Sequence, residues 1–295
     1  MKINMILIKV LFFLILTSTI NTQGLYPILN MPYSARSISL SESGTSNAFY
    51  SISYNPASIK VDKILFGFHS ILLPLNISYN RLEFIYSIGN NTYYTEIKNI
   101  DYGTFYDDLL NTQFRAQEIA LKFGTKRPFY NTFSGSLSID YIYSYIANYV
   151  SQGLAVSAGI RAETISGRNG FSLSLENSGM IFDRYNQSNE GINSNYRFST
   201  YHKLLYAPAN LNFDITHDSY NNSHLSSSIE IKIKSIIILR LGIGSINLEK
   251  NINQNNYQYS FGFGINYNNY ILDYGVKNIK NIGLSSGLSI HYIMP

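Results

Sequence analysis

The chain has 295 residues, 14% of them charged and 45% hydrophobic, with a net charge of +4 and a mean hydropathy of −0.05. Soluble globular chains carry about 25% charged residues, so low charge with middling hydropathy points away from a soluble enzyme and towards strands with one apolar and one neutral-polar face. No block of like charge marks a nucleic-acid surface, and the absence of cysteine excludes a disulfide framework, a thiolate metal site and a cysteine-linked lipid anchor.

The first segment reads as an export signal. Lys2 and Lys9 precede an apolar run at 10–16, followed by Thr17, Ser18 and Thr19. The run is short for a spanning helix, which needs roughly 20 apolar residues. A signal peptide over 1–22 is the expectation, although no A-x-A cleavage pattern is present. Residues 23–63 alternate poorly and are expected to form a plug-like N-terminal segment in or beside the mouth of the domain that begins at residue 64.

From residue 64 onward the dominant signal has period two. In 132–146, Phe133, Leu137, Ile139, Tyr141, Tyr143 and Tyr145 alternate with serines and Asp140. Segments 151–163 and 256–267 repeat the pattern, and weaker copies occur at 64–70, 82–88, 114–124, 170–176, 209–217, 225–234, 236–246, 269–276 and 284–294. Successive side chains on a strand face opposite ways, so each segment has one greasy and one polar face. Turn signals separate them at 89–91, 167–170 and 268–269, and the Asn-rich stretches 186–195 and 251–256 read as solvated loops. The expected fold is all-β: a transmembrane antiparallel β-barrel over 64–295 with about 14 strands, because only helices and closed barrels satisfy their backbone in lipid. Its 26 tyrosines and 17 phenylalanines, with no tryptophan, would supply the interfacial girdles. Small neutral residues and scattered charges (Arg81, Glu118, Asp140, Arg161, Lys232) predict a filled lumen rather than a wide ion-selective pore. The alternating last strand holds Leu288, Ile290, Tyr292 and Met294, and the chain ends on Pro295 where many such barrels end on an aromatic residue.

Several short motifs stand in order along the chain. Ala35, Arg36 and Leu40 fit a small-Ala-Arg-x-x-x-Leu segment, and Tyr54, Asn55, Pro56 and Ala57 fit an aromatic-x-Asn-Pro-Ala turn. The 100–105 stretch looks like a tyrosine–glycine hairpin, 171–179 like a strand ending in Asn-x-Gly, and Leu204-Leu205-Tyr206-Ala207-Pro208 leads into an alternating strand. In these features the chain resembles the PorV/PorQ family, nearest its PorQ branch, and through it the FadL-type barrels. The usual glycine pair after the first motif is replaced by Ser41-Glu42-Ser43-Gly44. The resemblance implies a non-enzymatic outer-membrane component of a type IX-like secretion and surface-attachment system, working beside a sortase-like or cell-surface partner. The FadL likeness implies an alternative, an outer-membrane transporter of hydrophobic small molecules. The motif residues are candidates for a structural or a partner-binding role, and the Asn-Pro pair by itself reads as a tight turn.

No catalytic, cofactor or metal pattern stands out. The five histidines include no H-E-x-x-H, and no G-x-S-x-G or P-loop occurs. His217 and His224, near Asp214 and Asp218 at a strand end, read as surface-loop residues rather than a metal site, and Gly262-x-Gly264 inside a strand reads as relief of lumen crowding or a bend in the strand.

Overall fold

The computed structural model describes residues 24–107, 111–185, 191–234, 236–246, 257–279 and 283–295; the signal peptide expected over 1–22 lies outside them. Fourteen antiparallel strands close into one barrel. They are β1 (Ile64–Leu72), β2 (Ser78–Ile88), β3 (Asn91–Asp107), β4 (Thr112–Tyr130), β5 (Phe133–Ile146), β6 (Tyr149–Glu163) and β7 (Asn169–Asp183), then β8 (Asn195–Lys203), β9 (Ala209–Asp218), β10 (Ser223–Ile233), β11 (Ile237–Ile246), β12 (Tyr257–Tyr267), β13 (Tyr270–Ile279) and β14 (Gly283–Ile293). Each pairs with its sequence neighbours, and β14 closes on β1.

The alternation read from the sequence sorts side chains as a membrane barrel requires. Phe66, Phe68, Leu82, Phe123, Leu241 and Phe261 face outward and are exposed, while their neighbours in sequence turn into the lumen. Exposed tyrosines collect near the strand ends, with Tyr86, Tyr93, Tyr130 and Tyr267 at one rim and Tyr106, Tyr149 and Tyr257 at the other. These are the aromatic girdles of a bilayer-spanning barrel. The two longest connections, 184–194 and 247–256, share one end with the β1–β2 turn. Long connections mark the outward-facing mouth of such barrels and short turns the inner one.

Two strands, β3 and β8, fall outside the segments picked out by alternation, because both of their faces mix polar and apolar residues. In β8 the lumen side carries Arg197 and Tyr201, and the outer side carries Tyr196, Phe198 and His202. Two motifs also differ from expectation. Residues 100–105 form no hairpin but lie inside β3, where a bulge between Asp101 and Thr104 absorbs one extra residue and Gly103 takes φ 87°. Asn177 is likewise internal to β7, at a register shift with φ 59°, and is not a strand end. His217 and His224 sit on β9 and β10 instead of in loops.

An outward-facing residue near the middle of a strand lies deepest in lipid. Leu241→Arg on β11 is expected to destabilise the barrel by about 2–4 kcal/mol, and the same change at Tyr267, at the inner rim, by about 0–1. Reversible denaturant unfolding from lipid vesicles measures both.

Candidate functional site

The lumen is filled by the segment that precedes β1. It begins at the outer mouth, where Gly24–Leu25 pairs in parallel with Gly191–Ile192 of the β7–β8 connection. It runs through a short helix, α1 (Ala35–Ser39), and a 3-10 turn at Pro56–Ser58 before entering β1 at the inner rim. Ser34 caps α1 by accepting from Ser37 N–H at 3.1 Å.

Glycines decide where α1 rests. Gly262, Gly275 and Gly287 lie opposite one another across β12, β13 and β14 and form a floor without side chains. A Cβ on Gly275 would lie 2.2 Å from the Ala35 carbonyl oxygen, and one on Gly262 would lie 2.3 Å from Ser39 Cβ. Gly262 therefore makes room for the plug, and Gly264 for the Arg240–Asp273 pair of the wall, where a Cβ would lie 2.4 Å from Asp273 Oδ1.

On the adjoining wall, from β1 onward, the register writes horizontal layers. Towards the outer mouth, Ile71, Tyr79 and Ile100 stand side by side on β1, β2 and β3. With Ile142 and Ile181 they hold Tyr26, Ile28 and Leu29 of the plug in an apolar cluster. The next layer carries His69, Arg81 and Lys98, and the one below it Gly67, Glu83, Glu96, Lys122 and Asp140. Nearest the inner rim, Leu65, Ile85 and Tyr94 pack with Ile52, Ile59 and Val61.

The charges are networked, not scattered. Arg81 reaches Glu83 and Glu96, both at 2.5 Å, Lys98 reaches Glu96 at 2.9 Å, and Lys122 reaches Asp140 at 3.4 Å, all essentially without solvent. A second chain runs Arg36–Glu230–Arg240–Asp273, with contacts of 3.1, 2.8 and 2.6 Å. Arg197 pairs with Glu176 at 2.9 Å. Glu118 instead accepts from Ile28 N–H and Tyr102 Oη, each at 3.0 Å, and Arg161 donates to Ser46 O at 2.7 Å. Lys232 departs from expectation: it is exposed near the inner rim, because β10 ends one residue later. Deleting one partner of a buried pair strands the other charge and costs about 3–5 kcal/mol.

The residues of the first two motifs, at 35–40 and 54–57, lie in the lumen, whereas 204–208 form an exposed connection at the inner rim. Ala35 and Leu40 are fully buried, and Ala35 N–H donates to Ser289 Oγ at 2.9 Å. Arg36 bonds Glu230 and lies over the Phe49 ring at 4.3 Å. Tyr54 donates to Glu42 at 2.9 Å, and its ring sits 3.9 Å from the Arg197 guanidinium. Asn55 accepts from Ala57 N–H at 3.0 Å, closing the turn around Pro56. Its amide also donates to the wall carbonyls of Ile160 at 3.0 Å and Leu173 at 3.2 Å, an anchoring use that the turn reading does not contain. Ala57 O accepts from Ser134 Oγ at 2.8 Å. These residues thus come together as the fastening of plug to wall. The sequence reading missed their wall partners, Glu230 and Arg240 above all, because those lie far along the chain.

One cavity of about 250 Å³ remains at the outer mouth, lined by Glu42, Tyr54, Arg197, Asp218, His224 and Lys277 among others. Burial alone would raise the Glu42 pKa, but the Lys277 ammonium beside it wins, with help from Tyr54 and Arg197, and the carboxyl falls from 4.5 to about 2. His217 faces outward near this mouth and contacts Ser223 Oγ at 3.0 Å, so it does not converge with the inward-facing Asp214 and Asp218.

A closed barrel with an apolar exterior, tyrosine girdles and a filled polar interior is the architecture of an outer-membrane β-barrel, crossing lipid by its strands. Its fold is that of the FadL-type channels. It is similar to CymD, a monoaromatic hydrocarbon channel, with a TM-score of 0.71 and 9% identity over 92% of this chain and 99% of that one. It is also similar to the Pseudomonas putida toluene transporter TodX (TM-score 0.64, 10% identity, 92% of this chain and 98% of that one). A Pseudomonas aeruginosa FadL homologue gives 0.60 and 9% identity over 88% and 98%. No family model and no curated protein matches the sequence.

The plug can be probed in two ways. A carboxyl whose folded pKa is depressed contributes stability above its ordinary value and loses it as pH falls through the folded one. Plug protection, measured by hydrogen exchange at 40–46, is therefore expected to hold at pH 5 and weaken between 4.5 and about 2, and Glu42→Gln should abolish that step. Gly275→Val should expel α1 from its floor while leaving the wall closed. Vesicle swelling assays should then show faster solute entry than wild type.

Proposed function

We propose that this protein passes small hydrophobic molecules across the outer membrane through a lumen that its N-terminal segment closes. The observation that carries this reading is the apolar layer near the outer mouth. The inward faces of membrane barrels are ordinarily polar, yet here Ile71, Ile100, Ile142 and Ile181 line the wall and are covered by Ile28 and Leu29 of the plug. Withdrawal of 24–31 would leave a greasy chamber between the wall and the charged layers, suited to an uncharged apolar solute. The FadL-type fold, shared with proteins described as a monoaromatic hydrocarbon channel and a toluene transporter, supports the same solute class. The type IX reading rests on the PorV/PorQ sequence motifs. Burial of Ala35, Arg36, Leu40, Tyr54, Asn55 and Ala57 inside the barrel favours a fastening role for them over a standing surface for a sortase-like partner.

Purified barrel reconstituted into vesicles is expected to take up toluene faster than empty vesicles. Ile28→Ala with Leu29→Ala, which loosens the plug from the apolar layer, should raise the rate further. Uptake equal to that of empty vesicles would refute the proposal.

A further inference from the structure

The barrel's closing seam holds a second constellation that solute passage does not use. His69 on β1, Glu83 on β2 and His291 on β14 are all fully buried, and their ligand-type atoms lie within 4.8 Å of one another. Register explains how residues from opposite ends of the chain meet. Gly67 stands opposite His291 on one side and Glu83 on the other, and His69 is next in line on the lumen face of β1. A Cβ on Gly67 would lie 2.5 Å from Glu83 Oε1. The carboxylate therefore occupies the space a side chain would have filled and reaches between the two imidazoles.

We propose that His69, Glu83 and His291 bind one divalent transition-metal ion, with zinc as the type case, across the seam of the barrel. Glu83 Oε1 lies 3.3 Å from His69 Nε2 and 3.4 Å from His291 Nε2. Zinc binds imidazole nitrogen and carboxylate oxygen at about 2.0–2.1 Å, which puts neighbouring ligand atoms of a tetrahedron about 3.3–3.4 Å apart. None of these three atoms has a hydrogen-bond partner of good geometry. Buried polar atoms left so are costly, and a single cation would satisfy all three. Hydrogen bonds orient His69 and Glu83 as an outer shell does, while His291 is held by packing alone. His69 Nδ1 contacts Ser289 Oγ at 2.9 Å. Glu83 Oε2 accepts from Arg81 at 2.5 Å and from Ser51 Oγ and Ile52 N–H at 3.0 Å each. The Phe49 ring stands edge-on to His291 at 5.9 Å and covers the site from the plug side. Two imidazoles with one carboxylate select zinc, cobalt, nickel or copper over magnesium and calcium, which require oxygen ligands. Arg81 competes for the carboxylate, so the imidazoles carry the affinity. The inference is independent of what crosses the membrane.

The test uses the untagged chain without its signal segment, stripped with chelator in denaturant and refolded into detergent with Co²⁺. Wild type is expected to keep one Co²⁺ per barrel through gel filtration, with the visible absorption of a four-coordinate ion, and to melt at a higher temperature than the chelated protein. His69→Gln and His291→Gln, which leave the Arg81–Glu83 pair intact, should lose the bound ion, its absorption and the shift in melting temperature. A wild-type barrel that refolds without retaining Co²⁺ or Zn²⁺ overturns the proposal, as does equal retention by both folded variants. If a variant does not fold, the wild-type stoichiometry and metal-dependent melting decide alone: one retained ion with a raised midpoint supports the site, and no retention rejects it.

Discussion

The interior of this barrel is governed by charge buried in register. A lumen sealed by its own chain removes solvent from every inward-facing group, and an isolated charge there would be intolerable. The sequence meets that constraint by setting cations beside carboxylates within and between adjacent rows. Arg81 and Lys98 lie one layer from Glu83 and Glu96, so each has a carboxylate within reach on its own strand, and Arg81 a second on the next. Such pairs add little net stability over an apolar filling. What they fix is position: Glu83 and Glu96 stand side by side in this register, and Arg81 in the neighbouring row bridges them. The apolar layers above and below then have only one place to go.

The plug is held by the same logic on the other wall. Arg36 from α1 completes the chain Glu230–Arg240–Asp273, so a wall network is finished by a residue that does not belong to the wall. The glycine floor under α1 brings backbone against backbone closely enough for that guanidinium to reach. Apolar contacts at the outer mouth, charge in the middle and the Asn55 amide on the wall carbonyls fasten the segment at three heights.

Much of the outer face was legible in the sequence, and much of the inner face was not. Alternation exposes a strand when one phase meets lipid and the other meets small polar groups, as in β5 and β12. It fails for β8, where Tyr201 turns inward to Glu163 and Arg161 and the outward set includes His202. Charges spaced by two, such as Arg81 with Glu83 and Glu96 with Lys98, can be read as one face of a strand. Their partnership across the hairpin needs the register. The two long-range features, Arg36 with Glu230 and His69 with His291, leave no local trace, since only closure of the barrel brings them together. The Asn-Pro-Ala turn was visible as a turn, while the use of its asparagine to grip two strands depends on Gly159 lacking a side chain.

The N-terminal segment is also part of the surface on which the barrel closes. It precedes β1 in the chain and lies against the inner side of the seam that β14 makes with β1. The inner face of β14 is shaped to land on it: Ser289 accepts from Ala35 N–H, Gly287 clears Ile38, and His291 meets Phe49. The last strand thus closes onto a surface made half of wall and half of plug. The segment that stoppers the finished barrel is also half of the bed on which its last strand rests.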